Sequence, residues 1–169
     1  MSMLQGTHIL VVDPDADRRD KICTVLRRCR AVVHLAESRT EALGQFAELY
    51  GQQIVPRAVV TSWQLHPPGT REHQFYQMIH RHVDNTALDL VERIRTIDGR
   101  IALAVLSTPE DQIPDNVVEA FRVTLVPRIE DLEEVLSSDP DMLSMRYHSP
   151  DYVRDEVYRE AAQELNARS

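Results

Sequence analysis

Ser62, Trp63 and Gln64 stand directly after the short apolar run Ala58-Val59-Val60-Thr61 and before a loop that closes with Pro67-Pro68-Gly69. The run is too short for a helix and has strand composition, so it reads as a buried central strand. In an open α/β sheet the loop after such a strand is where ligands and chemistry sit. No carboxylate lies between Pro56 and Gly69, and no neighbouring base activates the Ser62 hydroxyl as a nucleophile. A second polar cluster, Asp13-Pro14-Asp15-Ala16-Asp17, follows the apolar run Ile9-Leu10-Val11-Val12. Asp15 or Asp17 suits the amino terminus of a helix as a cap, where an acid also complements the helix dipole. A third, Ser107-Thr108, follows the run from Ile101 to Leu106. His73, His80 and His82 invite a metal reading, but no cysteine or ordered second ligand pair accompanies them. Their spacing is not a zinc pattern.

The elements that must position these groups alternate along the chain. Ile9 to Val12 reads as the first strand, buried on both faces. From about Asp15 to Arg30, Ile22, Val25, Leu26 and Cys29 recur at helical spacing, with arginines on the opposite side. Ala31 to Ala36 reads as a second strand, and Ser38-Arg39-Thr40-Glu41 is a capping-box pattern opening a helix through Ala42, Leu43, Phe46 and Leu49. After the central strand, residues 70–85 show no clear period. Ala87 to Arg95 returns to helical spacing and stops at Asp98-Gly99. Ile101 to Leu106 is a fourth strand, and Pro114 opens a helix through Val117, Val118 and Phe121. Val123 to Val126 is a fifth strand, and Ile129 to Leu136 a fifth helix. Such alternation predicts parallel strands, right-handed crossovers and helices on both faces.

The chain has 169 residues, enough for one domain with a sizeable core. Its hydrophobic fraction of 43% and charged fraction of 27% are those of a globular protein. A net charge of −8 opposes direct binding to nucleic acid or to an anionic membrane surface. The longest apolar runs are about half of what a membrane span needs. Residues 1–6 lack the charged and apolar regions of a signal peptide, so a cytoplasmic location is expected. Cys23 and Cys29 fall six residues apart on one predicted helix, too far for a disulfide, and read as two buried or half-buried thiols. Residues 1–138 are expected to form the domain. Ser137 to Asp141 reads as a linker, and the rest of 139–169 as a helix from about Ser149 to Asn166.

Five βα units in this order, with an acid directly after the first strand, resemble the receiver domain of two-component response regulators. The opening Ile-Leu-Val-Val-Asp, the polar loop and the arginine-rich helix carry the likeness. So do Ala87 to Arg95, Leu106-Ser107-Thr108, and Leu125-Val126-Pro127-Arg128, which stands where that family shows a Lys-Pro pair. The likeness covers about residues 7–137. It implies a flavodoxin-like, doubly wound, five-stranded parallel sheet of order 2-1-3-4-5, carrying an insertion after strand three at about residues 70–85. The family's chemistry is phosphoryl transfer from a histidine kinase to an aspartate after strand three. Acids after strand one hold Mg²⁺, which together with a lysine neutralises the transferring group. Position by position, Asp13 matches one acid and is a weak Mg²⁺ candidate, while Pro14 stands where a second acid is usual. The phosphoacceptor maps to Ser62 or Trp63, the strand-four hydroxyl to Ser107 with Thr108 beside it, the aromatic switch residue to Thr124 and the lysine to Pro127. The resemblance therefore implies a degenerate pocket of Asp13, Asp15, Ser62, Trp63, Ser107, Thr108, Thr124 and Pro127, with Trp63 filling it.

The expected function is a pseudo-receiver: a non-enzymatic signalling module that acts through protein contacts without aspartyl phosphorylation and without a cofactor. Phe75 and Tyr76 in the insertion are candidate partner contacts. So are Val157, Tyr158 and Leu165, which lie with Val153 and Ala161 on one side of the tail helix and would also serve a homodimer. Two alternatives use the same scaffold. One is a ligand- or nucleotide-binding protein, although GxGxxG and GxxxxGK[ST] loops are both absent. The other is an active receiver with its phosphoacceptor relocated to Asp84 or Asp89.

Overall fold

The apolar runs become strands because each is flanked by polar turns and is too short to be anything else. In a computed structural model, which describes residues 2–65, 86–109, 111–139 and 142, they form one five-stranded sheet. The strands are β1 (His8–Val12), β2 (Val32–Ala36), β3 (Ala58–Ser62), β4 (Ala102–Leu106) and β5 (Val123–Val126). All neighbours are parallel and their order is β2-β1-β3-β4-β5, as expected. The central strands β3 and β4 are buried at every position, which explains why they read as continuous rather than alternating apolar runs.

The crossovers are α1 (Ala16–Arg28), α2 (Arg39–Gly51), α3 (Leu88–Ile97), α4 (Asp115–Phe121) and, after a 3-10 turn at Ile129–Asp131, α5 (Leu132–Ser137). They cover the sheet in two layers. On one face Phe46 and Tyr50 of α2, Leu90, Val91 and Ile94 of α3 and Val117 of α4 pack on Leu10, Val12, Val59 and Val105. On the other, Ile22 and Leu26 of α1 and Leu132 and Leu136 of α5 pack on Ile9, Val11, Val60 and Ala104. Each fully buried leucine or isoleucine here stabilises the fold by about 1.5–3 kcal/mol.

Local chemistry sets the helix ends. Asp15 caps α1 by accepting from the Arg18 N–H at 3.1 Å, and Ser38 caps α2 by accepting from Glu41 at 3.2 Å. Glu41 reaches back to the N–H of Glu37, one residue earlier than a capping box would place it. Three non-glycine residues adopt left-handed backbone where helices end: Arg30 after α1, Gln53 after α2 and Arg122 after α4.

The sequence reads a linker after Ser137, yet Asp139 is buried and accepts from the Thr124 hydroxyl at 2.8 Å. Met142 is fully buried in the layer formed by α1 and α5. Proline and acid content signals a turn, but it does not register one methionine with an open place in the core. Cys23 and Cys29 are both free and buried. No helix among the described residues is long and apolar enough to cross a membrane.

Candidate functional site at the carboxyl edge of the sheet

Strand register decides which of the singled-out residues meet. Val12 pairs with Thr61, Ser62 with Leu106 and Leu106 with Val126. Asp13, Ser62, Ser107 and Pro127 therefore share the carboxyl edge of four adjacent strands. Thr124 stands deeper in the sheet. It pairs with Ala104, two residues inside β5, and its hydroxyl is committed to Asp139.

Asp13 is the centre of the edge. It is fully buried, and its carboxylate is gripped by Arg18, whose Nε donates to Oδ2 at 2.6 Å and whose Nη2 donates to Oδ1 at 3.1 Å. The Asp15 N–H adds a bond to Oδ1 at 2.9 Å. Arg19 Nη1 holds the Asp13 carbonyl at 2.8 Å while its Nη2 pairs with Glu37 at 3.2 Å. Such forked, charge-assisted contacts are among the stronger hydrogen bonds in proteins. The bond to Asp13 raises the Arg18 pKa above its ordinary value, with smaller contributions from the charges of Asp13, Asp15 and Asp111. Asp15 is exposed, and the Arg18 N–H it accepts lowers its pKa.

The remaining groups are also occupied. Ser62 is buried, and its Oγ donates to the Gln64 carbonyl at 3.0 Å. Trp63 is 5% exposed and belongs to the apolar layer of Val12, Leu65, Ala87 and Leu90. The group seated on the Asp13 carboxylate is the Arg18 guanidinium. Ser107 is half-buried, with its N–H on the Val126 carbonyl at 3.1 Å. Thr108 is exposed, and its N–H donates to Asp111 at 2.9 Å. Pro127 is exposed. Asp89 sits on α3, within 3.6 Å of Arg39 and 3.9 Å of Arg93. Asp84, the three histidines of the insertion, Phe75, Tyr76, Val157, Tyr158 and Leu165 lie outside the described residues.

Arg18 and Arg19 are the residues at this edge that sequence reasoning missed, having assigned the arginines of α1 to its outer side. A signal was present. Two cations in a first helical turn oppose the helix dipole, so they need a compensating partner, and Asp13 lies within reach behind them.

The Mg²⁺ implied by the resemblance does not fit this donor set. Mg²⁺ demands near-octahedral oxygen ligation. The Asp13 carboxylate already holds a guanidinium and a backbone N–H, Asp15 caps α1, and Asp111 accepts from Thr108. Among the described residues no group of three or more histidine, cysteine, aspartate or glutamate side chains is placed to hold a metal.

No protein-family model matches the chain, and no curated protein does. Solved structures do. A response regulator receiver domain protein from Clostridium thermocellum superposes with a TM-score of 0.58 at 20% identity, covering 83% of this chain and 98% of that one. The receiver domain of NtrX from Brucella abortus gives 0.54 at 18% identity, covering 80% and 98%. The chemotaxis response regulator CheY4 of Vibrio cholerae gives 0.52 at 16%, covering 78% and 99%. At these identities the likeness establishes the fold, which is the flavodoxin-like arrangement of receiver domains.

Proposed function

We propose that this chain is a signalling module of the receiver type that transmits state through protein contacts and does not depend on aspartyl phosphorylation. The observation that carries the reading is the end of β3. The acceptor of the receiver family maps there to Ser62 or Trp63; the Ser62 hydroxyl is buried and bonded to the Gln64 carbonyl, and Trp63 is buried in the apolar layer. Among the described residues no base is bonded to the Ser62 hydroxyl to raise its nucleophilicity. No lysine follows β5, where Val126 is followed by the exposed Pro127. Such a module takes a protein partner rather than a substrate. Phe75 and Tyr76 in the insertion, and Val157, Tyr158 and Leu165 in the tail, are the proposed contacts, and the tail is the proposed seat of a homodimer.

Incubation with acetyl phosphate and Mg²⁺, and separately with phosphorylated histidine kinases, followed by intact-mass measurement, tests the reading. The mass is expected to stay unchanged. A gain of one phosphoryl group, mapped to residues 60–65 or to Asp84 or Asp89, overturns it.

A further inference from the structure

The group in contact with the Asp13 carboxylate is a cation supplied by the chain itself. We propose that Arg18 is a resident counter-ion that closes the acid edge of the sheet to divalent metal, so that this edge has one charge state with or without Mg²⁺. The assignment deepens the proposed function and rests on it in treating the carboxyl edge as the place where such a module would sense a ligand.

Three observations carry it. First, Asp13 is fully buried, so an ionised carboxylate there requires a partner within the protein. The guanidinium fork supplies one at 2.6 and 3.1 Å, with the Asp15 N–H at 2.9 Å on the same oxygen as the second arm. Second, the Arg18 side chain is 34% exposed, while its acceptor is fully buried. The pair thus joins a solvent-accessible cation to a carboxylate that has no solvent contact of its own. Third, Asp15 and Asp111 add negative charge around the same guanidinium. Arg18 is thus the cation bonded to the Asp13 carboxylate itself, whereas Arg19 holds only the Asp13 carbonyl. Metal uptake must then displace a charge-assisted fork that costs no binding entropy, since it is part of the chain.

The test uses the full chain and Mn²⁺ as the probe, with free Mn²⁺ read by electron paramagnetic resonance, alongside melting curves with and without millimolar Mg²⁺. Wild type is expected to show no saturable Mn²⁺ uptake and no Mg²⁺-dependent shift in melting temperature. Arg18→Met, which keeps the apolar stem but removes the charge, is expected to gain saturable uptake and a melting temperature that rises with Mg²⁺. Arg18→Met combined with Asp13→Asn is expected to lose both again. Should Arg18→Met unfold in metal-free buffer, its recovery on adding Mn²⁺ is the readout, and absence of recovery overturns the assignment. Saturable uptake by wild type, or a folded Arg18→Met that takes up no more than wild type, also overturns it. Phosphoryl labelling is read separately: labelling without metal uptake overturns only the proposed function.

Discussion

Trp63 is the only tryptophan in the chain, so its fluorescence reports the site without interference. Buried in the layer beneath the carboxyl edge, it is expected to emit at short wavelength and to resist iodide quenching. Trp63→Ala is expected to cost about 3–5 kcal/mol in urea or thermal unfolding. Red-shifted, freely quenched emission would place the ring on the surface and refute its role as core. A second residue-scale property belongs to the opposite end of β1. His8 Nδ1 and His34 Nε2 lie 2.9 Å apart, with the rings inclined by 14°. Burial lowers the pKa of both, and the charge of His8 lowers that of His34 further. Since the unfolded chain then binds more protons than the folded one below about pH 6.5, stability is complete above that value and falls as the pH drops through it. Melting temperature is expected to decline from neutral towards acid pH, less steeply in His34→Gln. A slope that the substitution leaves unchanged would dissociate it from this pair.

At the scale of elements, the insertion between β3 and α3 has a closed base. The Ala87 N–H donates to the Trp63 carbonyl at 2.7 Å, and Gln64 bridges Thr86 in antiparallel fashion. Arg39, buried at the start of α2, donates to the Thr86 carbonyl at 2.8 Å. The two ends of the insertion are thus held together by the domain itself, and the entropy of closing a connection changes only slowly with its length. Removal of residues 70–85 is therefore expected to leave the melting temperature nearly unchanged. Arg39→Ala is expected to lower stability by about 2–3 kcal/mol through loss of charged hydrogen bonds. A chain that unfolds on excision of 70–85, while Arg39→Ala is silent, would reverse these roles.

At the scale of the molecule, the domain extends past α5. Met142 fills a place in the layer of α1 and α5, and Asp139 ties the same segment to β5. Met142→Ala is expected to cost about 2–5 kcal/mol, and a chain ending at Asp139 is expected to melt lower than one ending at Ser144. Equal melting of the two would show that Met142 contributes nothing. Sedimentation of the full chain beside the one ending at Ser144 tests the proposed dimer through the tail, which two monomeric profiles would exclude.

The order of the five βα units, the parallel sheet and the caps at Asp15 and Ser38 follow from local sequence, because apolar period and capping chemistry act over a few residues. Asp13 and Ser62 were readable as candidates for the same reason: each directly follows an apolar run. Tertiary structure alone decided who partners whom. Register paired Thr124 with Ala104, folding of α1 onto β1 seated Arg18 on Asp13, and docking buried Asp139 and Met142. These outcomes depend on contacts between separate elements and on the direction of long side chains, and neither is written in the spacing of residue types.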